Sequence, residues 1–513
     1  MKGITAIVLA VCLMASVACS GDDGEERSSA TSRSSTTTAV AEYEPVFSEN
    51  PCPDGVPDDP RVECGTLTVP ADRTAPDDGD VRLPVAIIRG AGDDPLPDPI
   101  VYFEGGPGFG ALDRVGFFLD QDYGGRRDVI LFDQRGTGRA EPNLDCTEIP
   151  EVVWTILGAA RDSAVEVAAA QQAIADCRRR LEGHGVDFDD YDTPATADDA
   201  EDLRVALAIE RWNLWGGSYG TTVALEVLRR HGDAVRSAVL DSVYPPDVPA
   251  AVDRSAGNAR RAFDQLIGGC RADQACAARF GDLDEGFNAL LREWDADPYE
   301  QDIVDQRTGK TRHLVLTGSD VVAGIWAAMY DTAVIPLLPS VIEALRARND
   351  FAKVIVDELS GSGISQLIDS AEAMGFSVNC ADRAALGGGA PVAEVIEDDP
   401  QLAGVIALGA PTQDCSAWEV EPVDAGFNEI ADSDVPTLVL AGEYDPVTPP
   451  VDSERTAEAL ANATYVLFPG VGHGAVFAAD CPEAIFRTFL EDPTADVDAS
   501  CVDAMGPPAW SGV

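Results

Sequence analysis

Residues 216–220 read Gly-Gly-Ser-Tyr-Gly, with an apolar run, Trp-Asn-Leu-Trp, just before them and a helical pattern over residues 222–230 just after. A serine hydroxyl is a weak nucleophile until a base takes its proton. The G-x-S-x-G spacing supplies the setting for such a step. A strand that turns sharply into a helix needs small residues beside the serine, and it lifts the oxygen over the sheet edge at a helix N-terminus, where negative charge is favoured. Ser218 is therefore the candidate nucleophile. The chain has four histidines that could serve as base: His184, His231, His313 and His473. His184 follows an Arg-rich helical stretch, His231 falls at the far end of the helix after Ser218, and His313 lies in a polar stretch. His473 stands between Gly472 and Gly474, just after the last apolar strand pattern. Small neighbours there let an imidazole reach inward, so His473 is the expected base.

A histidine in this role needs a carboxylate to hold its tautomer and stabilise the imidazolium. Two aspartates keep the order serine, acid, histidine. Asp241 ends the strand pattern of residues 237–241, and Asp445 follows that of residues 437–441. Asp445 is the expected acid, because it lies one strand later and the Pro446-Val447-Thr448-Pro449 run stiffens its loop toward His473. Asp241 is expected to cap a turn leading into the lid. Donors for a developing oxyanion are sought in Gly105-Gly106-Pro107-Gly108, where a backbone without Cβ can approach a ligand. The expected pair is the N–H of Gly106 and that of Tyr219.

These residues have to be carried by a sheet. Strand patterns are expected at residues 81–88, 100–104, 129–133, 212–215, 237–241, 437–441 and 464–468. Helical patterns fall between them, at residues 164–181 and at 197–209, with Thr196 as the expected N-cap of the latter. Strands alternating with helices predict an α/β fold with a mostly parallel sheet flanked by helices. The rhythm stops after Tyr244-Pro245-Pro246. Residues 247–432 read as a largely helical cap or lid insertion, with helices at residues 251–267, 283–294, 319–330 and 335–348. The core is thus expected in two parts, residues 44–246 and 433–513.

The chain of 513 residues has 36 Lys plus Arg, 89 Asp plus Glu and a formal charge of −53. Acidity spread along the chain is a soluble, self-repelling surface, and it excludes nucleic acid, whose recognition needs a basic stripe. No metal or other cofactor is expected. Residues 1–18 have the shape of a secretory signal, and Ala15-Ser16-Val17-Ala18-Cys19 is similar to a bacterial lipobox, which implies lipidation at Cys19. Residues 19–43 read as a flexible tether. Association with a membrane is expected through that lipid alone, at the outer face of the cell membrane, with secretion as the alternative. Without Cys12 and Cys19 the chain keeps ten cysteines, an even number that fits disulfides in an exported protein. Pairing between sequence neighbours is the simplest arrangement: 52–64, 146–177, 270–276, 380–415 and 481–501. Oligomeric state is not legible.

Taken together, Gly105-Gly106-Pro107-Gly108, Asp133-Gln134-Arg135-Gly136-Thr137-Gly138, Trp215 to Thr221, Gly442 to Pro449 and Gly472-His473-Gly474 resemble the α/β-hydrolase group of prolyl and tripeptidyl aminopeptidases. The likeness is greatest to secreted actinobacterial tripeptidyl aminopeptidases. It implies a serine exopeptidase that cleaves peptides near a free N-terminus through an acyl-enzyme, beneath a helical cap. Residues 376–382, ending in Asp382, look like the family's stretch between cap and core. The resemblance implies an acidic group near there for the substrate's α-ammonium, with Asp382, Glu443 and Glu104 as candidates. Glu104 stands where prolyl aminopeptidases have histidine, which argues against a strict prolyl specificity. The alternative is an esterase or lipase-like hydrolase of small esters, because the same machinery serves both bonds.

Overall fold

The computed structural model describes residues 43–511, apart from 93, 160–162, 306–307, 357–369, 388, 391, 399, 410–414 and 416–417. The signal, the tether and Cys19 lie outside the described residues, except for Tyr43. A nine-stranded sheet runs through the chain. Its strands are β1 (Val46–Glu49), β2 (Val62–Pro70), β3 (Asp80–Ile88), β4 (Ile100–Phe103), β5 (Val129–Phe132), β6 (Trp212–Gly217), β7 (Val235–Asp241), β10 (Thr437–Gly442) and β11 (Ala463–Phe468), with the hairpin β8 (Tyr299–Val304) and β9 (Thr311–Leu316) standing apart. The spatial order is β1-β2-β3-β5-β4-β6-β7-β10-β11. The strands from β5 to β11 are parallel, and β1, β2 and β3 pair antiparallel at one side.

The central strands are continuous apolar runs because helices cover both faces. Alternation along β4 sends Val101 and Phe103 into one hydrophobic layer and Ile100 and Tyr102 into the other. The first layer takes in Val223 and Val227 of the helix Tyr219–His231; the second takes in Phe118, Trp215 and Phe486. From Tyr465 to Phe468 the edge strand β11 alternates more and less exposed positions, as a strand wet on one face should.

Between β7 and β10 the chain forms helices with a hydrophobic cluster of their own, including Leu290, Trp294, Ile325 and Ile342. Helices Val252–Ala272, Leu283–Ala296, Gly318–Ala328 and Leu338–Ala347 lie at the predicted places. Tyr444 and Trp510 join this cluster, so the insertion packs directly on the loop after β10.

Three features depart from the sequence reading. Strands β1 and β2 went unread, because Thr66 and Thr68 put polar side chains on one face of β2 and Glu63 and Gly65 interrupt the other. The hairpin β8–β9 lies within the stretch read as helical; Gln301, on the face of Tyr299 and Ile303, and Arg312, on the face of Leu314 and Leu316, interrupt the alternation. The helix predicted from residue 197 spans Thr193–Ala206, and its cap is Asp192, whose side chain accepts from the Ala195 N–H. Thr196 lies inside the first turn and donates its hydroxyl proton to the Asp192 carbonyl. All ten cysteines pair between sequence neighbours as expected.

Candidate active site

The turn from β6 into the helix Tyr219–His231 is made at Ser218, whose backbone stands at φ 55°, ψ −124°. A side chain there is strained by roughly 1–3 kcal/mol, a conformation that persists only when its surroundings impose it. The spacing of the flanking glycines has a direct cause. A Cβ on Gly216 would come within 2.3 Å of the Gly220 carbonyl oxygen, and one on Gly220 within 2.0 Å of that of Phe103. The Ser218 N–H donates to the Asp241 carbonyl at 3.0 Å.

His473 follows β11, with its side chain 14% exposed. Its Nδ1 lies 2.7 Å from Asp445 Oδ2 and 3.2 Å from Thr448 Oγ1. Asp445 is fully buried after β10. Its Oδ1 accepts the N–H groups of Val447 and Thr448 at 2.9 and 2.8 Å, and its Oδ2 also accepts the Thr448 hydroxyl at 2.7 Å. Burial alone would neutralise this carboxyl, but the His473 ring and these donors outweigh burial and hold it below the usual aspartate range. For His473, burial pulls the imidazole down, and the Asp445 charge and hydrogen bond more than reverse this, so it binds its proton more tightly than a free histidine. A buried acid fixed on Nδ1 leaves Nε2 as the nitrogen free to exchange a proton.

Gly105 lies against the serine: a Cβ on it would sit 3.0 Å from Ser218 Cβ. Tyr219 is the first residue of its helix, so its N–H has no acceptor within the helix. The Gln134 side-chain amide donates to the Glu104 carbonyl at 2.9 Å and steadies the Gly105-Gly106 turn. Gly106 is exposed beside it.

Asp241 does not cap a turn into the insertion but has partners in the turn after His473. Both oxygens of Asp241 accept backbone N–H groups, from Ala475 at 2.8 Å and Val476 at 2.9 Å. The remaining histidines lie elsewhere: His231 pairs with Asp198, His313 pairs with Asp302, and His184 is exposed. Each of the three carboxylates considered for a substrate amine has internal partners. Asp382 is fully buried, with its oxygens 3.2 Å from the Thr193 N–H and 2.5 Å from its hydroxyl. Burial, with Asp192 nearby, pushes Asp382 up to about 7. Glu443 accepts from the Gln265 amide and the Gly470 N–H. Glu104 accepts from the Gly105 N–H at 3.0 Å and Arg114 Nε at 2.9 Å.

Contacts from the insertion escaped the sequence reading. The Tyr330 carbonyl accepts the His473 N–H at 3.0 Å, and the Tyr330 ring lies 5.0 Å from the imidazole. Thr332 Oγ1 accepts the Gly472 N–H at 2.9 Å, Trp326 donates to the Pro446 carbonyl, and Arg261 donates to the carbonyls of Glu443 and Asp445. No motif marks these residues, since each acts through backbone groups of a distant loop. Among the described residues no cluster of side chains could hold a metal ion.

The sequence profile of the alpha/beta hydrolase fold matches residues 98–311, and that of the TAP-like protein family matches residues 402–501. The first spans the turn at Ser218, and the second spans Asp445 and His473. The chain has the α/β-hydrolase fold. Among relatives, it is 26% identical over 458 residues to "Serine protease Hip1" of Mycobacterium tuberculosis, a match covering 83% of this chain and 84% of that one. It is 29% identical over 196 residues to "Tripeptidyl aminopeptidase" of Streptomyces lividans, covering 36% of each chain. It is also 29% identical over 150 residues to "Proline iminopeptidase" of Xylella fastidiosa, covering 29% of this chain and 34% of that one.

Proposed function

We propose that this α/β-hydrolase is an exported serine peptidase that removes residues from the free N-terminus of peptides, with Ser218 as nucleophile, His473 as base and Asp445 as its orienting acid. The observation that carries this is the 2.7 Å contact of a buried Asp445 with His473 Nδ1, in a chain whose Ser218 occupies a strained strand-to-helix turn. Ser218 Oγ attacks the scissile carbonyl while His473 Nε2 takes its proton. The N–H groups of Tyr219 and Gly106 receive the oxyanion. Collapse of the tetrahedral adduct breaks the C–N bond, and His473 returns the proton to the leaving amine. Water, deprotonated by the same imidazole, then hydrolyses the acyl-enzyme.

The peptidase reading rests on the names of the relatives, which are serine protease, tripeptidyl aminopeptidase and proline iminopeptidase. Residues 247–432 would form a cap over the site and limit access to chain ends. One observation favours a second reading: Asp382, Glu443 and Glu104 are each engaged within the protein. Hydrolysis of small esters would need no amine-binding group. Five disulfides fit folding outside the reducing cytosol, and Cys19 would carry the lipid that retains the enzyme at the membrane. The deciding experiment is a panel of tripeptide chromogens, free and N-acetylated, beside short-chain esters. The proposal expects acetylation to remove most of kcat/KM. Equal turnover of free and blocked peptides, or turnover of esters alone, would reject it.

A further inference from the structure

At the end of β7 two consecutive residues receive three consecutive N–H groups of the histidine turn. Ser242 Oγ accepts from Gly474 at 2.9 Å, and the Asp241 carboxylate accepts from Ala475 and Val476 at 2.8 and 2.9 Å. The main chain of the same aspartate accepts the Ser218 N–H at 3.0 Å. Both residues are fully buried, and Ser242 is held at φ 61°, a left-handed conformation that a residue with a Cβ rarely takes. One short segment thus grips the serine turn from one side and the histidine turn from the other.

We infer that Asp241, with Ser242 beside it, is the positioning residue that sets the reach between Ser218 and His473 and that its carboxylate supports the charged imidazole. The inference rests on the triad reading and adds to it an acidic group that does not touch His473 Nδ1. Among the described residues no salt bridge joins Asp241 to a cation: its carboxylate is held by two backbone N–H groups, and His473 and Asp445 are the charged groups that act on it most. An ionised carboxylate is a stronger acceptor than a neutral one, so its charge both tightens the turn and favours protonation of His473. Arrangement of a nucleophile and base to within about 1 Å is worth on the order of 10²-fold in rate. The segment has the reach to control that spacing, because it bonds to both.

The test is Asp241→Asn in the intact enzyme, with Ser242→Ala as a milder companion and Ser218→Ala as the control. Asparagine keeps the shape and one acceptor but presents an NH2 to an N–H that needs an acceptor. The expected result is a fall in kcat of about 10²-fold with KM little changed, while the active-site serine of the folded protein remains countable by a fluorophosphonate. The acid limb of kcat/KM should also move to lower pH, since a negative charge near the imidazolium is gone. Ser242→Ala should lower kcat less and leave the limb in place. Full kcat per labelled serine with an unmoved acid limb would overturn the inference. So would a loss of activity that only tracks a loss of folded protein. If Ser218→Ala kept activity, the triad reading itself would fall, an outcome independent of the two variants at the end of β7.

Discussion

Ser218, His473 and Asp445 differ in what their removal should do. Ser218→Ala should fold and lose about 10⁶-fold in kcat, as loss of a serine nucleophile does; steady-state turnover of a peptide or ester chromogen measures it. Asp445→Asn should lose about 10⁴-fold, because an amide would hold the wrong tautomer of the ring. The pH profile follows from the direction of the His473 shift. Only the neutral imidazole accepts the serine proton, and Asp445 raises its affinity for a proton above the free value of 6.5. Activity should therefore fall as the pH drops, with a midpoint above 6.5 in kcat/KM. In Asp445→Asn the residual activity should show a lower midpoint, and an unmoved midpoint would contradict the pairing.

At the scale of elements, the segment between β7 and β10 is tied to the loops that carry Asp445 and His473. The segment after helix Gly318–Ala328 accepts N–H groups of Gly472 and His473, and the helix Val252–Ala272 reaches the Asp445 loop through Arg261. Thr332→Val keeps the shape of the side chain and removes the acceptor for the Gly472 N–H. A buried donor left without a partner costs about 1–3 kcal/mol. The variant should lose about that much stability in urea unfolding, and kcat should drop about tenfold as the turn loosens. A variant with unchanged kcat would mean that Thr332 does not brace the His473 turn.

For the whole molecule, buried carboxyls govern the response to acid. Asp133 and Asp241 are raised to about 6 by burial, and Asp382 to about 7 by burial and by Asp192. A carboxyl with a folded value above its unfolded one stabilises the fold when protonated. That contribution is full below about 4, the unfolded value, and is lost as the pH rises through 6 to 7. Asp198 works in the opposite sense: burial opposes its charge, but His231 and Arg230 bring it down to about 2, so its contribution disappears only in strong acid. Thermal unfolding should therefore show a higher Tm near pH 5.5 than at pH 8. A Tm that falls steadily from pH 8 to 5.5 would mean that the three carboxyls ionise freely in the fold.

The central strands and the tight turn at Ser218 were legible in the chain because each has a local cause. Continuous apolar runs make buried parallel strands, glycines permit the close approach of β6 to its helix, and small residues flank His473. The five disulfide partners were legible too, as nearest neighbours in sequence. What tertiary structure alone decided is which groups the two aspartates meet. Asp241 and Asp445 both follow apolar strands and have the same order relative to Ser218 and His473; the later strand and the Pro446-Val447-Thr448-Pro449 run favour Asp445 in the sequence, and only the folded backbone sets the contacts of each. It turns the Asp445 oxygen onto His473 Nδ1 and gives both Asp241 oxygens to the N–H groups of Ala475 and Val476. The bracing by Tyr330 and Thr332 is hidden for the same physical reason. It runs through main-chain groups, which every residue carries and no side-chain pattern announces.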